Sequence, residues 1–306
     1  MFSPSKSYFI KLGSNGIWEQ ECIEKSNTIK VGFRGIDDHL CKENKWDEVK
    51  NIFKNNPKLV KSATLYTNQL QKFYEANDSV LWITFYKQKL WWCFANKEVS
   101  CDSENRKIKK VIKKWSDQDL KGNILYIDKL SGELVKVQAY RSTICEIKAS
   151  DYLILKIRGD VTKDVHETIE ARQNLENKIG KLVKKLTWRD FEMLIDLIFT
   201  NSGFKRISEV GGKQKSIDIV FQSPVSNERY FVQVKSASEK ELFESFMHNI
   251  SEQEFDKFYY VVHSPSEDLA KCGFIDDDRV RLIQVEDIAK LTVKTGLSDW
   301  LINKVG

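Results

Sequence analysis

An aspartate followed by a Gln-x-Lys tripeptide on the next apolar run limits this chain more than any other feature. Asp218 opens the run Ile219-Val220-Phe221; fourteen residues then separate it from Gln233-Val234-Lys235, which ends a second run begun at Tyr230. Both runs are short and rich in β-branched and aromatic residues, as strands are. The stretch between them, with Ser223, Pro224, Ser226 and Asn227, is dense in turn formers and reads as their connection. Side chains alternate along a strand, so Gln233 and Lys235 share one face while Tyr230, Val232 and Val234 share the other. If the strands pair, Asp218 meets the Gln/Lys face, and a carboxylate, an amide oxygen and an ammonium gather at one point.

That grouping suits metal-assisted cleavage of a phosphodiester. Asp218 is a hard oxygen ligand for Mg²⁺ (or Mn²⁺), and either the Gln233 side-chain oxygen or the Val234 backbone carbonyl adds another. Such an ion polarises the scissile phosphate and lowers the pKa of a bound water. Lys235 orients that water and offsets negative charge in the transition state. A solvated hairpin with scattered polar residues is the competing explanation, and the upstream context weighs against it. In Leu186–Phe199, residues Phe191, Leu194, Ile195 and Ile198 recur at helical spacing, with Thr187 placed to cap and Gly203 to stop the helix. Glu192 lies at the edge of that apolar stripe, facing either the sheet edge or water.

On these residues (helix, Gly211-Gly212, strand with Asp218, strand with Gln233-Val234-Lys235), positions 186–306 resemble the Mrr-type catalytic domain of the PD-(D/E)xK nuclease superfamily, in its Gln-x-Lys variant. The resemblance implies a small mixed sheet flanked by helices, with Mg²⁺ at its edge. It implies Asp218 as the metal-binding aspartate, Gln233 as the second ligand position, Lys235 as the catalytic lysine and Glu192 as the first-helix glutamate that completes the metal shell. Two departures stand out: Ser216-Ile217 precede Asp218 where the family has Gly-x, and Gln233 replaces a carboxylate, which makes Glu192 more necessary. Further runs, Phe258–Val262 and Arg281–Val285, read as strands, and Glu286–Leu291 as a helix. Strands alternating with helices favour an α/β (α+β) fold.

The first half differs. Residues 1–155 hold six of the eight tryptophans and strand-like runs at 8–12, 29–33, 81–86 and 90–95, the last two close enough for a hairpin. Residues 46–75 show helical spacing. On Phe9-Ile10-Lys11-Leu12-Gly13-Ser14-Asn15-Gly16-Ile17-Trp18, Ile29–Phe33, Asp78–Ile83 and Leu90–Phe94, this half resembles a PUA-like β-barrel of the kind found in EVE, YTH and SRA modified-base readers. The resemblance implies that a base flipped out of the duplex is stacked between aromatics. One face of the hairpin must be core, so some of its tryptophans only pack. Trp18, Trp82 and Trp92, with Asn15 as polar reader, are the expected pocket residues.

Residues 156–185 are polar and helix-prone, with Gly180 a weak point, and read as a helical linker between a recognition domain (1–155) and a nuclease domain (186–306). Lys178, Lys181, Lys185 and Arg189 make one basic stripe, and Arg106–Lys114 packs six cations into nine residues, with Lys109 and Lys110 at its centre. The net charge of +5 says little alone, but such stripes suit DNA phosphates. No apolar run is long enough to span a membrane, and no leader is visible. The six cysteines have no Cys-x-x-Cys spacing and read as reduced thiols, so the expected location is cytoplasmic. His39, His166, His248 and His263 form no metal-like pair; only His263, at a strand end, falls near the catalytic edge. No Walker loop is present, so no nucleotide cofactor is expected. The resulting expectation is a modification-dependent DNA endonuclease, resembling Type IV restriction enzymes, acting on double-stranded DNA as a homodimer. The alternatives are an anti-phage nuclease whose first half senses RNA or protein, and a nucleic-acid-binding module that has lost catalysis.

Overall fold

The computed structural model describes residues 2–207, 219–250, 256–272, 275 and 277–306, with backbone alone at 249–250. The chain divides into two compact units, Met1–Lys163 and Asp164–Gly306.

The first unit runs β1 (Lys6–Ile10), β2 (Thr28–Val31), α1 (Asp38–Lys42), α2 (Trp46–Lys54), α3 (Ala63–Glu75), β3 (Val80–Tyr86), β4 (Lys89–Phe94), β5 (Ser100–Cys101), β6 (Lys107–Lys110), α4 (Gly132–Val135), β7 (Ile144–Glu146) and α5 (Ser150–Arg158). Its strands form two open sheets, ordered β4-β3-β1-β7 and β2-β6-β5. Isolated bridges Trp92↔Ser116 and Ala95↔Val111 run along the outer side of β4. Among the described residues these sheets do not close into the expected barrel. The hairpin between β3 and β4 is as tight as its spacing predicts: Lys87 and Gln88 both take positive φ, 49° and 59°, the backbone that matches strand twist in a two-residue turn.

Both faces of the β4-β3-β1-β7 sheet are buried. Trp82 and Cys93 look into one core, with Tyr8, Phe73 and Trp115, and Leu81, Ile83, Phe85 and Leu90 into another, with Leu134, Leu153 and Ile157. Alternation within the hairpin is as the sequence implies, and both of its faces, not one, pack against core.

The second unit runs α6 (Lys163–Val183), α7 (Trp188–Asn201), β8 (Lys205–Arg206), β9 (Ile219–Gln222), β10 (Arg229–Ser238), α8 (Lys240–Ile250), β11 (Lys257–Pro265), α9 (Glu267–Ala270), β12 (Val280–Ile283), α10 (Val285–Lys294) and α11 (Ser298–Val305). One mixed sheet is ordered β12-β11-β10-β9-β8, antiparallel between β9 and β10 and parallel from β10 through β12. On one side Phe191, Leu194, Ile195 and Ile198 of α7 pack on Val232, Val234 and Val261. On the other, Phe243 of α8 packs with Phe231, Phe258, Tyr260 and Val262. Each such ring or branched chain removed from water stabilises the unit by roughly 1.5–3 kcal/mol.

Of the stretch expected as a linker, Lys163–Val183 is one unbroken helix through Gly180, preceded by the end of α5 and a break after Arg158. Its last turns belong to the second unit's core, since Ile179 and Val183 are buried there. A β carbon at Gly180 would stand 3.6 Å from Val285 and 3.8 Å from Ala289, ordinary contact, so packing against α10 holds the helix across its weak point. No helix among the described residues is long and apolar enough to cross a membrane.

Candidate active site

The sheet register brings Gln233 and Lys235 to one face of β10, in the stretch just past the end of its pairing with β9. Gln233 stands beside Tyr260 and Lys235 beside Val262 of β11, and Phe221 to Ile219 on β9 pair with Tyr230 to Val232. Gln233 is 1% exposed, whereas Lys235 is half-buried, which leaves its ammonium within reach of a substrate. Among the described residues the Lys235 side chain makes no hydrogen bond or ion pair, while its backbone lies in the ladder with β11. Asp218, like Gly211-Gly212 and Ser216-Ile217, lies outside the described residues; Ile219, which follows it in sequence, is paired with Val232, the neighbour of Gln233.

Glu192 is half-buried on α7, the helix that covers the opposite face of the sheet from Gln233 and Lys235. The cap that starts α7 is the one expected: Thr187 Oγ1 accepts from the Asp190 amide at 3.3 Å. The donors in question, Gln233, the Val234 carbonyl and Glu192, are all oxygen, a set that fits a hard cation such as Mg²⁺ or Mn²⁺ and not a thiolate-bound metal. Among the described residues no group of three or more His, Cys, Asp and Glu could hold a metal by themselves.

His263 sits at the same level of the sheet, on the α7 side. It lies between the Lys235↔Val262 and Ala237↔Ser264 pairs and is therefore level with Ser236. Its ring meets Phe191 edge-on with centroids 4.6 Å apart, and Nδ1 is 2.9 Å from Ser264 Oγ. Nε2 is buried and finds no hydrogen-bond partner among the described residues, and the same holds for Ser236 Oγ. Burial, and then the nearby charge of Lys184, hold the imidazole below its usual pKa and thus neutral near pH 7.

The basic stripe is in part what the sequence suggests. Lys178, Lys181 and Lys185 are exposed, as is Arg189, whose guanidinium lies 5.1 Å from the centre of the Trp188 ring. In the other cluster, Lys110 is exposed but Lys109 is fully buried, its Nζ donating to Ala76 O at 2.5 Å. Lys107 is fully buried too, bonded to Ile36 O at 2.7 Å. Alternation along β6 turns these two lysines inward, so the run is not a continuous phosphate-binding surface and Lys109 is not a DNA contact.

Of the expected pocket residues, Trp82 is fully buried between Tyr8 and Phe73, with no face open to a base. Trp92 is held by Nε1 donating to Gln118 O at 2.8 Å and by edge contacts with Phe2 and Phe94. These are packing roles. Trp18 is half-buried, with Arg106 5.4 Å and Lys30 5.8 Å from its ring centre, and Asn15 is exposed at φ 52° in the turn before it. Gly13, at φ 85°, is required there: a β carbon would lie 2.9 Å from the Trp18 ring.

Sequence reasoning missed a cleft of about 470 Å³ lined by Gly32, Phe33, Arg34, Phe53, Asn56 and Tyr66, among others. The three rings contact one another with centroids 5.7–6.0 Å apart. Its loop is held from below by Lys107 on Ile36 O and by Asn105 Nδ2 on Arg34 O at 2.7 Å. A β carbon at Gly32 would meet the tip of the Trp18 ring at 3.8 Å, so Trp18 stands next to one of the lining residues. Gly32-Phe33-Arg34-Gly35, an aromatic and a cation between glycines, is the signal that marked it.

Comparison with known proteins bears on the second unit. The profile of a restriction endonuclease family matches residues 183–292. Among solved structures, the chain aligns with the DNA modification-dependent restriction endonuclease AspBHI at 12% identity and TM-score 0.32, over 81% of this chain and 75% of that one. No curated protein sequence matches. The matched segment contains α7, the mixed sheet and the Gln233-Val234-Lys235 strand, and residues 183–292 are thus similar to the Mrr-type restriction endonuclease domain.

Proposed function

We propose that this chain is a Mg²⁺-dependent endonuclease that cuts DNA carrying a modified base, with the second unit cutting and the first unit reading the base. The observation that carries it is the placement of Lys235 beside buried Gln233 on one face of β10 within the matched nuclease domain. Asp218 is proposed as the principal metal ligand, supported by the register that sets the following residue opposite Val232. Gln233 or the Val234 carbonyl would complete the oxygen set, and Glu192, on the helix that covers the other face of the sheet, would have to reach the ion past the strand edge. A bound Mg²⁺ supplies Lewis-acid polarisation of the phosphate. Lys235 donates hydrogen bonds to the attacking water and to a non-bridging phosphate oxygen, countering the charge that grows there. Exposed Lys178, Lys181, Lys185, Arg189 and Lys110 fit the phosphates on either side.

For the first unit we propose the cleft lined by Phe33, Phe53 and Tyr66, with Trp18 next to its Gly32, as the base site. Phe33, Phe53 and Tyr66 offer apolar ring surface, Arg34 and Asn56 hydrogen-bonding edges, with Asn15 in the turn before Trp18 as a further polar reader, and stacking on such rings returns about 1–3 kcal/mol against the cost of flipping. One catalytic centre per chain cuts one strand, so scission of both strands calls for two chains.

The test is cleavage with and without Mg²⁺ by the wild type and Lys235→Ala on matched duplexes that are unmodified, cytosine-methylated or hydroxymethylated. Cutting confined to a modified duplex and abolished by the substitution is the expected result. Equal cutting of all three would remove the reader and keep the nuclease. Metal-independent cutting would overturn the site chemistry.

A further inference from the structure

The turn between α6 and α7 presents a tryptophan that the cleavage chemistry leaves unused. Trp188 is 58% exposed, whereas Trp82 and Trp115 are 0% and 5% exposed. The turn that carries it is firmly held. Asp190 accepts from Thr187 Oγ1 at 2.7 Å and pairs with Lys304 Nζ at 3.0 Å, and Phe191 is fully buried against His263. An indole kept in water by so fixed a backbone leaves apolar surface for a partner to cover.

The surroundings state the partner's charge. Lys184 and Lys185 are exposed just before Trp188, and Arg189 follows it with its guanidinium 5.1 Å from the ring centre. A flat apolar ring among cations is complementary to bases flanked by phosphates. Position points the same way. Phe191, one helical turn on, touches His263, which is level with Ser236, the residue after Lys235. Lys184 is also near enough to His263 to depress its pKa. The tryptophan thus stands near the level of Lys235 along β10, on the helix that covers the other face of the sheet.

We propose that Trp188 is a stacking platform for a DNA base displaced from the helix beside the scissile phosphate, with Lys184, Lys185 and Arg189 on the flanking phosphates. A paired base offers its faces only to its neighbours, so the ring selects DNA that is unstacked, or easily unstacked, where the cut falls. The proposal rests on the nuclease reading above and names what its site grips.

The experiment uses the full chain carrying Lys235→Ala, so that DNA stays intact. Binding is measured to a duplex with one bulged 2-aminopurine and to the same duplex fully paired. Added Trp188→Ala is expected to weaken binding of the bulged duplex roughly 5- to 150-fold, to abolish the quenching of 2-aminopurine emission, and to leave the paired duplex unchanged. Trp188→Phe, which keeps a ring, is expected to restore most of both signals, and the salt dependence, set by the lysines and arginine, to stay as it was. Equal affinities with and without Trp188→Ala, or equal weakening on both duplexes, would overturn the stacking role alone. A Lys235→Ala chain that binds neither duplex would overturn the nuclease reading and this inference together.

Discussion

Lys109→Met separates the two meanings of a lysine-rich run. Lys109 is fully buried, lies 5.6 Å from the centre of the Phe73 ring, and is bonded to Ala76 O. Burial pulls its pKa down from 10.5 to about 8, against smaller opposing effects of Asp78 and Glu98. The folded-state pKa is below the unfolded one, so the folded chain binds fewer protons between them, and stability rises with pH across that window. At neutral pH the charge costs about 3 kcal/mol. Between pH 7 and about pH 9.5 roughly 2 kcal/mol of that is recovered. Methionine fills the same stem volume without the charge, at the loss of one hydrogen bond to Ala76 O worth about 1–3 kcal/mol. The first unit's unfolding in urea, followed by tryptophan emission, should therefore show a gap between variant and wild type that moves by about 2 kcal/mol in favour of the wild type as pH rises. DNA affinity and its salt dependence should not change. A gap independent of pH would refute the buried-cation reasoning. A salt slope reduced by about one phosphate contact would return Lys109 to the DNA surface.

Glu19→Gln should behave oppositely. Burial raises the Glu19 pKa to about 7, so the folded chain holds the extra proton between pH 4.5 and 7 and loses stability as pH rises through that window. The variant should match wild type in acid and exceed it by about 1–2 kcal/mol above pH 7, read from urea midpoints. Gly180→Ala should raise the second unit's melting temperature, since helix propensity favours alanine by about 0.8–1 kcal/mol and the new methyl finds only ordinary contacts; a lower melting temperature would show that α6 and α10 are closer than their Cβ distances suggest. Trp92→Ala should lower the first unit's unfolding free energy, read from urea melts, by about 2–4 kcal/mol, and Tyr66→Ala should mainly lower the preference for modified over plain DNA. The reverse pattern would move the base site from the cleft to the hairpin.

The second unit was largely legible because its signals are local. Apolar spacing in Leu186–Phe199, the Thr187 cap and the alternation around Gln233-Val234-Lys235 each act over a few residues, and the observed α7 and β10 follow them. The first unit was less legible. Alternation told correctly which tryptophans of the hairpin share a face, yet whether a face is open depends on what other segments lay over it. Here Leu134, Leu153 and Ile157 cover one side and Phe73 with Trp115 the other. The same holds for Arg106–Lys114, whose composition reads as a solvated surface until pairing with β2 turns Lys107 and Lys109 inward.

By itself, then, the sequence determined the elements and the chemistry they can bear: hydrophobic period, caps and turns act through neighbours along the chain, and Asp, Gln-x-Lys spacing is such a pattern. Tertiary structure alone decided which side chains meet water. It buried Lys109 and Trp82, left Trp188 exposed and drew Phe33, Phe53 and Tyr66 into one cleft, because burial depends on contacts between segments far apart in the chain.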